Sequence, residues 1–215
     1  MDDRIAIFLN LCKVSVSETI IQKLTDLKEL LYQENLKYNL TRIKDEFEYW
    51  NKHVADSASI GLYFSQVIES SKTIADIGCG AGFPSIVLSI MYPNQIFTAI
   101  DSIGKKTTFV KMASEKLQLK NLEVITGRSN EIKLSKKFDF ITARAVSEPV
   151  KIFRGTKHLL TQSGNYILYQ TPARIETLKS EVETISSKYG FAWFLSEVFH
   201  LPGGETRIFL YSSRK

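Results

Sequence analysis

The sequence predicts an α/β fold: a mostly parallel sheet of seven strands, covered on both faces, with an all-helical cap ahead of it. Three observations carry this. From Thr73 onward short apolar runs alternate with helical patterns, the signature of parallel strands joined by crossover helices. The last two runs are separated by Leu201-Pro202-Gly203-Gly204, a turn that favours a hairpin and hence one antiparallel edge strand. Residues 1–65 show only helical periodicity, which divides the chain into a cap over 1–65 and a sheet domain over 66–215.

The cap begins with Ile20, Leu24, Leu27 and Leu31, spaced as one apolar helical face, with Ser15 or Ser17 as the N-cap. Asn39-Leu40-Thr41 ends that helix. A second begins near Lys44 and carries Phe47, Trp50, Val54 and Ala58 on one side. Such faces must dock on something to be buried. Beyond the cap, strands are predicted over 74–77, 96–100, 122–126, 138–143, 165–170, 191–199 and 206–211. Helices are predicted over 85–91, 105–117, 149–160 and 174–188, with a short turn near Asn130.

Composition narrows the function classes. A chain of 215 residues with 44% hydrophobic content can bury a full core. No apolar run approaches the ~20 residues of a membrane span. Met1-Asp2-Asp3 lacks the pattern of a signal peptide, and two cysteines build no disulfide framework, so a cytoplasmic setting is expected. Three scattered histidines, His53, His158 and His200, give no metal-ligand spacing, and no metal is expected. A monomer is expected. The net charge of +5 leans towards an anionic partner.

Residues 74–101 carry the chemistry. A strand leads into Gly78-x-Gly80-x-Gly82, Pro84 opens an apolar helix, and the next strand leads into Asp101, twenty-three residues beyond Gly78. Strand, glycine loop, helix, strand and acid make a nucleoside half-site, in which the acid takes ribose hydroxyls. Dinucleotide enzymes use G-x-G-x-x-G so that the loop and helix end face a pyrophosphate. Here Phe83 occupies the third glycine's place, where it would crowd a close helix–strand contact but could pack against an uncharged ligand. S-adenosyl-L-methionine has a ribose and an adenine but no phosphate, which favours it over a nicotinamide.

Four further signatures accompany the loop Asp76-Ile77-Gly78-x-Gly80-Ala81-Gly82-Phe83-Pro84. They are Tyr38-Asn39-Leu40-Thr41, Lys52-His53-x-x-Asp56-Ser57, Asp101-Ser102-x-Gly104-Lys105-Lys106 and Ala143-Arg144-Ala145. With them the chain resembles, over nearly its whole length, the small-subunit (16S) ribosomal RNA guanine-N7 methyltransferase family, also called the glucose-inhibited division protein B family. The resemblance implies a class I methyltransferase (Rossmann-like) sheet and S-adenosyl-L-methionine as methyl donor. The implied substrate is N7 of a guanine in the decoding-region loop of 16S ribosomal RNA, met as RNA or as a 30S particle. It places the donor against Gly78, Phe83, Ser129, Asn130 and Arg144; the loop physics adds Gly80 and Asp101.

N7 of guanine has an in-plane lone pair and no proton, so the reaction needs no general base and rests on positioning. No catalytic side chain is therefore assigned beyond Arg144, a positioning candidate that would hold the donor's carboxylate or an RNA phosphate, with a structural salt bridge as the alternative. Cys79 is read as a space-filling residue. His53 and Asp56, three apart on one helical side, read as a tie between cap and sheet in preference to an RNA entrance. Lys105, Lys106, Lys151, Arg154 and Arg207 are the candidates for RNA contact; Lys111, Lys157 and the set Lys133, Lys136 and Lys137 extend the basic pattern. Gln170-Thr171 stands where the family usually has lysine and glycine. Two other functions stay open: a methyltransferase for a small molecule or protein, and a non-catalytic RNA-binding assembly factor that retains a donor pocket.

Overall fold

A computed structural model describes residues 1–144 and 149–214. The chain opens with α1 (Asp3–Leu11), which the sequence reading did not find, capped by the Asp2 side chain on the Arg4 amide. Its buried residues are Ile5, Phe8 and Leu9 while Ile7 and Leu11 lie exposed, so the apolar residues form no clean stripe. The next helix, α2 (Glu18–Tyr38), takes Ser17 as its N-cap and buries Leu24, Leu27 and Leu31. It stops at Asn39, whose left-handed backbone (φ 50°) suits an asparagine.

The second cap helix is irregular. α3 (Glu46–Glu48), capped by Asp45, runs into a π-helical stretch Tyr49–Ala55 and out through α4 (Asp56–Ala58). π-Helical turns are rare and concentrate at functional sites. α5 (Gly61–Ser70) follows, crossing position 65 with non-helical backbone at Phe64.

The sheet domain comprises β1 (Thr73–Ile77), α6 (Ser85–Met91), β2 (Ile96–Asp101), α7 (Gly104–Lys116), β3 (Leu122–Thr126), β4 (Phe138–Arg144) and α8 (Pro149–Thr156). It continues through β5 (Leu160–Gln170), α9 (Pro172–Tyr189), β6 (Phe191–Leu195), β7 (Phe199–His200) and β8 (Thr206–Arg214). Seven strands lie side by side in the order β3-β2-β1-β4-β5-β8-β6, with β7 paired to β8. β1 to β5 are parallel, and β8 runs antiparallel to both β5 and β6.

The reversed strand therefore does not form an edge, as the hairpin suggested. It fills the space between β5 and β6 and leaves β6 outermost. The predicted strand over 191–199 breaks into β6 and β7 because the Ser196 side chain accepts the Phe209 amide in place of a backbone carbonyl. α9 begins at Thr171, whose hydroxyl accepts the Arg174 amide, so that departure from the family pattern serves as a helix cap.

Alternate strand residues feed two cores. Ile74, Phe97, Ala99 and Phe140 join α1, α2, the π-helical stretch, α5, α6 and α7 on one face. Ala75, Ile100, Ile141 and Leu168 join α8 and α9 on the other. The cap thus docks on α6 and α7, and its core is continuous with the sheet's.

Candidate functional site

Between β1 and β4 the strand order reverses, and in open α/β sheets ligands bind outside the carboxyl ends of strands at such a point. Gly78, Gly80 and Gly82 all take positive φ (68°, 58° and 88°), a region that side chains disfavour. The Gly78 and Cys79 amides donate to the Ile100 carbonyl at 2.7 and 3.1 Å, which folds the loop over the end of β2. Asp101 completes the fixing. Its Oδ2 accepts the Gly80 amide and its Oδ1 the Ile103 amide, both at 2.9 Å.

The cleft beside this loop is walled by Gly78, Asp101 and Ser102 on one side and by Ser129, Asn130, Lys151 and Ile152 on the other. Four residues predicted for the donor, Gly78, Asp101, Ser129 and Asn130, meet here. Gly80 belongs to the same loop. The groups fit a nucleoside: among the described residues each Asp101 oxygen has a single hydrogen-bond donor, which leaves lone pairs for ribose hydroxyls. A second hollow shares Ser129, Asn130 and Lys151 and adds Arg154 and Gly155, so two of the predicted RNA-contacting cations lie next to the cleft. Lys105 and Lys106 lie in the first turn of α7, just past Asp101. Among the other cations, Lys136 pairs with Glu123 and Lys137 donates to the His158 carbonyl.

Phe83 and Arg144 do not line this cleft. Phe83 is buried against the cap: its ring stacks on His53 (centroids 4.0 Å apart, 10° between planes), with the Tyr49 ring edge-on at 6.4 Å. The guanidinium of Arg144 lies 5.8 Å from the Phe83 ring centre. It donates to the Lys52 carbonyl at 2.6 Å and to Asp56 Oδ2 at 3.0 Å, an ion pair with a buried carboxylate. Ala145, its partner in the signature, falls outside the described residues.

Arg207, expected among the RNA-facing cations, turns inward instead. Its Nε and Nη2 donate to Asp56 Oδ1 and Oδ2 at 2.9 and 3.2 Å. One buried carboxylate thus joins α4, the end of β4 and the start of β8, the tie between cap and sheet that the spacing of His53 and Asp56 suggested. Beside it, Asn51 clamps the β7–β8 turn by accepting the Gly203 amide (2.9 Å) and donating to Glu205 (2.7 Å). A Cβ at position 203 would lie 2.4 Å from the Asn51 amide nitrogen, so a side chain there would displace the clamp.

His53 is neutral in this setting: burial, and secondarily the Arg144 charge, press its pKa down to about 3. A guanidinium can only donate, so Nδ1 accepts from Arg144 (3.4 Å) and the Nε2 proton goes to Thr41 Oγ1 (3.0 Å). Asp76, to which the motif gave no role, lies behind the glycine loop and does not line the cleft. It is fully buried at the end of β1, accepts the Ser85 amide at 3.0 Å, and burial raises its pKa to about 6. Its place just before the glycine loop was the available signal. Burial drives the Cys79 thiol upward, far from a thiolate nucleophile. No described helix is long and apolar enough to cross a membrane.

The family model for rRNA small subunit methyltransferase G (GidB) matches residues 20–199. A protein of that name from Mycoplasma capricolum is 37% identical over 174 residues, covering 80% of this chain and 74% of its own length. Another from Lysinibacillus sphaericus is 34% identical, with coverage of 92% and 84%. Among solved structures, an O-methyltransferase from Bacillus cereus in complex with SAH superposes with a TM-score of 0.60 at 15% identity, over 88% of this chain and 91% of that one. The last likeness shows the class I methyltransferase fold; the first three show that this chain belongs to the GidB family, rRNA small subunit methyltransferase G.

Proposed function

We infer that the chain transfers a methyl group from S-adenosylmethionine to small-subunit ribosomal RNA, and that the acceptor atom is N7 of a guanine in the decoding-region loop. The observation that carries this is the cleft in which Asp101 and the glycine loop oppose the Ser129–Asn130 turn, within a chain of this family. Asp101 takes the ribose hydroxyls, Gly78 and Gly80 let the donor approach the backbone, and Ser129 and Asn130 hold the adenine edge. When bound, the donor supplies an already activated methyl on a sulfonium. The protein's remaining work is alignment of nucleophile, methyl carbon and sulfur, an effect worth up to ~7–11 kcal/mol.

The buried state of His53 and Cys79 supports a reaction without a protein base or nucleophile. Lys105, Lys106, Lys151 and Arg154 hold the RNA backbone. Arg144 acts as a positioning residue from its seat on Asp56. Residues 1–65 serve as the cap and 66–215 as the donor-binding domain of a cytoplasmic monomer.

The test is a single-turnover reaction of pure protein, labelled S-adenosylmethionine and 30S particles from cells lacking the gene, followed by nucleoside analysis. The label is expected in 7-methylguanosine at one position. Label on another base nitrogen or on ribose oxygen would overturn the N7 assignment. Donor binding without transfer would establish the assembly-factor alternative.

A further inference from the structure

The signatures Asn39-Leu40-Thr41 and His53-x-x-Asp56 lie outside the cleft, yet they are joined to it by an unbroken series of contacts. The Asn35 side chain pairs with the backbone of Thr41, donating to its carbonyl and accepting its amide, both at 2.9 Å. Thr41 Oγ1 accepts the His53 Nε2 proton, and the Ile43 amide donates to the same oxygen. His53 is thereby fixed in ring orientation and tautomer, with Arg144 on its other nitrogen. Its flat face lies on Phe83, immediately after Gly82, where the dinucleotide pattern would place a third glycine.

We propose that His53 is a positioning residue of the donor site, acting through its stack on Phe83 to hold the glycine loop in its binding conformation. Three features support this. The loop backbone sits at positive φ at three glycines, so it has little stiffness of its own and needs an external brace. From the β2 side the brace is Asp101; from the cap side the aromatic contacts of the loop run through Phe83, to His53 and Tyr49. Of the two rings, His53 lies nearer and covers the flat face of Phe83 at 4.0 Å, while Tyr49 meets it edge-on at 6.4 Å. The proposal rests on the donor lying in the cleft described above, and it extends the reach of that site to residues 35–41.

The experiment is calorimetric binding of S-adenosylhomocysteine, with thermal melting recorded in parallel. His53→Ala, which removes the stack, is expected to weaken binding about five- to tenfold. His53→Gln, which keeps polar atoms but no ring, is expected to match it. His53→Phe, which keeps the ring and loses both hydrogen bonds, is expected to restore most of the affinity even where its melting temperature falls. Phe83→Leu, which removes the same stack from the loop side, serves if His53→Ala does not fold, with an expected weakening of the same order. Full affinity in His53→Ala, in His53→Gln or, where His53→Ala does not fold, in Phe83→Leu would overturn the proposal. So would a His53→Phe protein as weak as His53→Gln. A wild-type protein that fails to bind would instead overturn the donor site itself.

Discussion

The Gly80 amide donates to Asp101 Oδ2 at 2.9 Å, which binds the loop after β1 to the acid that ends β2. The carboxylate therefore has a structural task before any ligand arrives: it holds the glycine loop open at the width in which the cleft is seen.

Asp101→Ala is expected to act twice, freeing two amides and removing the ribose acceptor. Donor binding should fall by about 1–3 kcal/mol or more, the cost of a lost charged hydrogen bond. Titration with S-adenosylhomocysteine measures it, and an unchanged affinity would remove Asp101 from the site.

Asp56→Ala leaves two poorly exposed guanidiniums, Arg144 and Arg207, without the carboxylate they share. Breaking a buried pair by deleting one partner typically costs about 3–5 kcal/mol. Urea unfolding should show a loss of that order, larger than for Arg207→Ala, which leaves Asp56 still paired with Arg144. Equal losses would mean that the two arginines do not depend on the shared carboxylate.

Two buried groups near the site make opposed contributions to the pH dependence of stability. His53 is depressed to about 3, so below an unfolded pKa of about 6.5 the unfolded chain takes a proton that the folded one refuses. Its contribution is complete above about 6.5 and is lost as pH falls towards 3. Asp76 is raised to about 6 from 3.8, so the folded chain holds that proton longer, and stability falls as pH rises through this window. Between about pH 4 and 6 the two nearly cancel. In His53→Phe the cancellation is gone, and the urea midpoint should rise as pH falls from 6 to 4. A pH profile of His53→Phe left unchanged by the addition of Asp76→Asn would rule out a buried, proton-holding Asp76.

Each phosphate contact contributes about −0.7 to −0.9 to the slope of log affinity against log salt. Replacing Lys105 and Lys106 together by alanine should flatten the slope for RNA binding while donor affinity holds. If the slope stays unchanged, the RNA follows Lys151 and Arg154 beside the cleft, and their double replacement should flatten it instead.

Much of this architecture can be read from residue order, and its failures have particular causes. α6 was predicted over the same residues as observed because Pro84 and an apolar run define both ends. Gly78 and Asp101 were readable from the glycine loop and the strand end that follows it, whereas Ser129 and Asn130 came from the family resemblance. The insertion of β8 between β5 and β6 was not readable, since an apolar pattern gives a strand's faces and not its neighbours. Phe47, Trp50, Val54 and Ala58 are spaced three and four apart, which fits an ordinary helix and conceals the π-helical stretch Tyr49–Ala55. Arg207 looked like a surface cation because its partner, Asp56, stands 151 residues away in the chain.

The position of β8 also bears on how the protein is made. β6 is joined to the sheet through β8, and β8 is the last strand of the chain. During synthesis residues 191–195 leave the ribosome with no neighbour to pair with, and β6 stays unjoined to the five parallel strands until residues 206–214 follow. Arg207 and the clamp of Asn51 on Gly203 and Glu205 arrive in that same final stretch. Without residues 206–214 the chain would possess every element of the donor cleft and still lack the strand that joins β6 to β5.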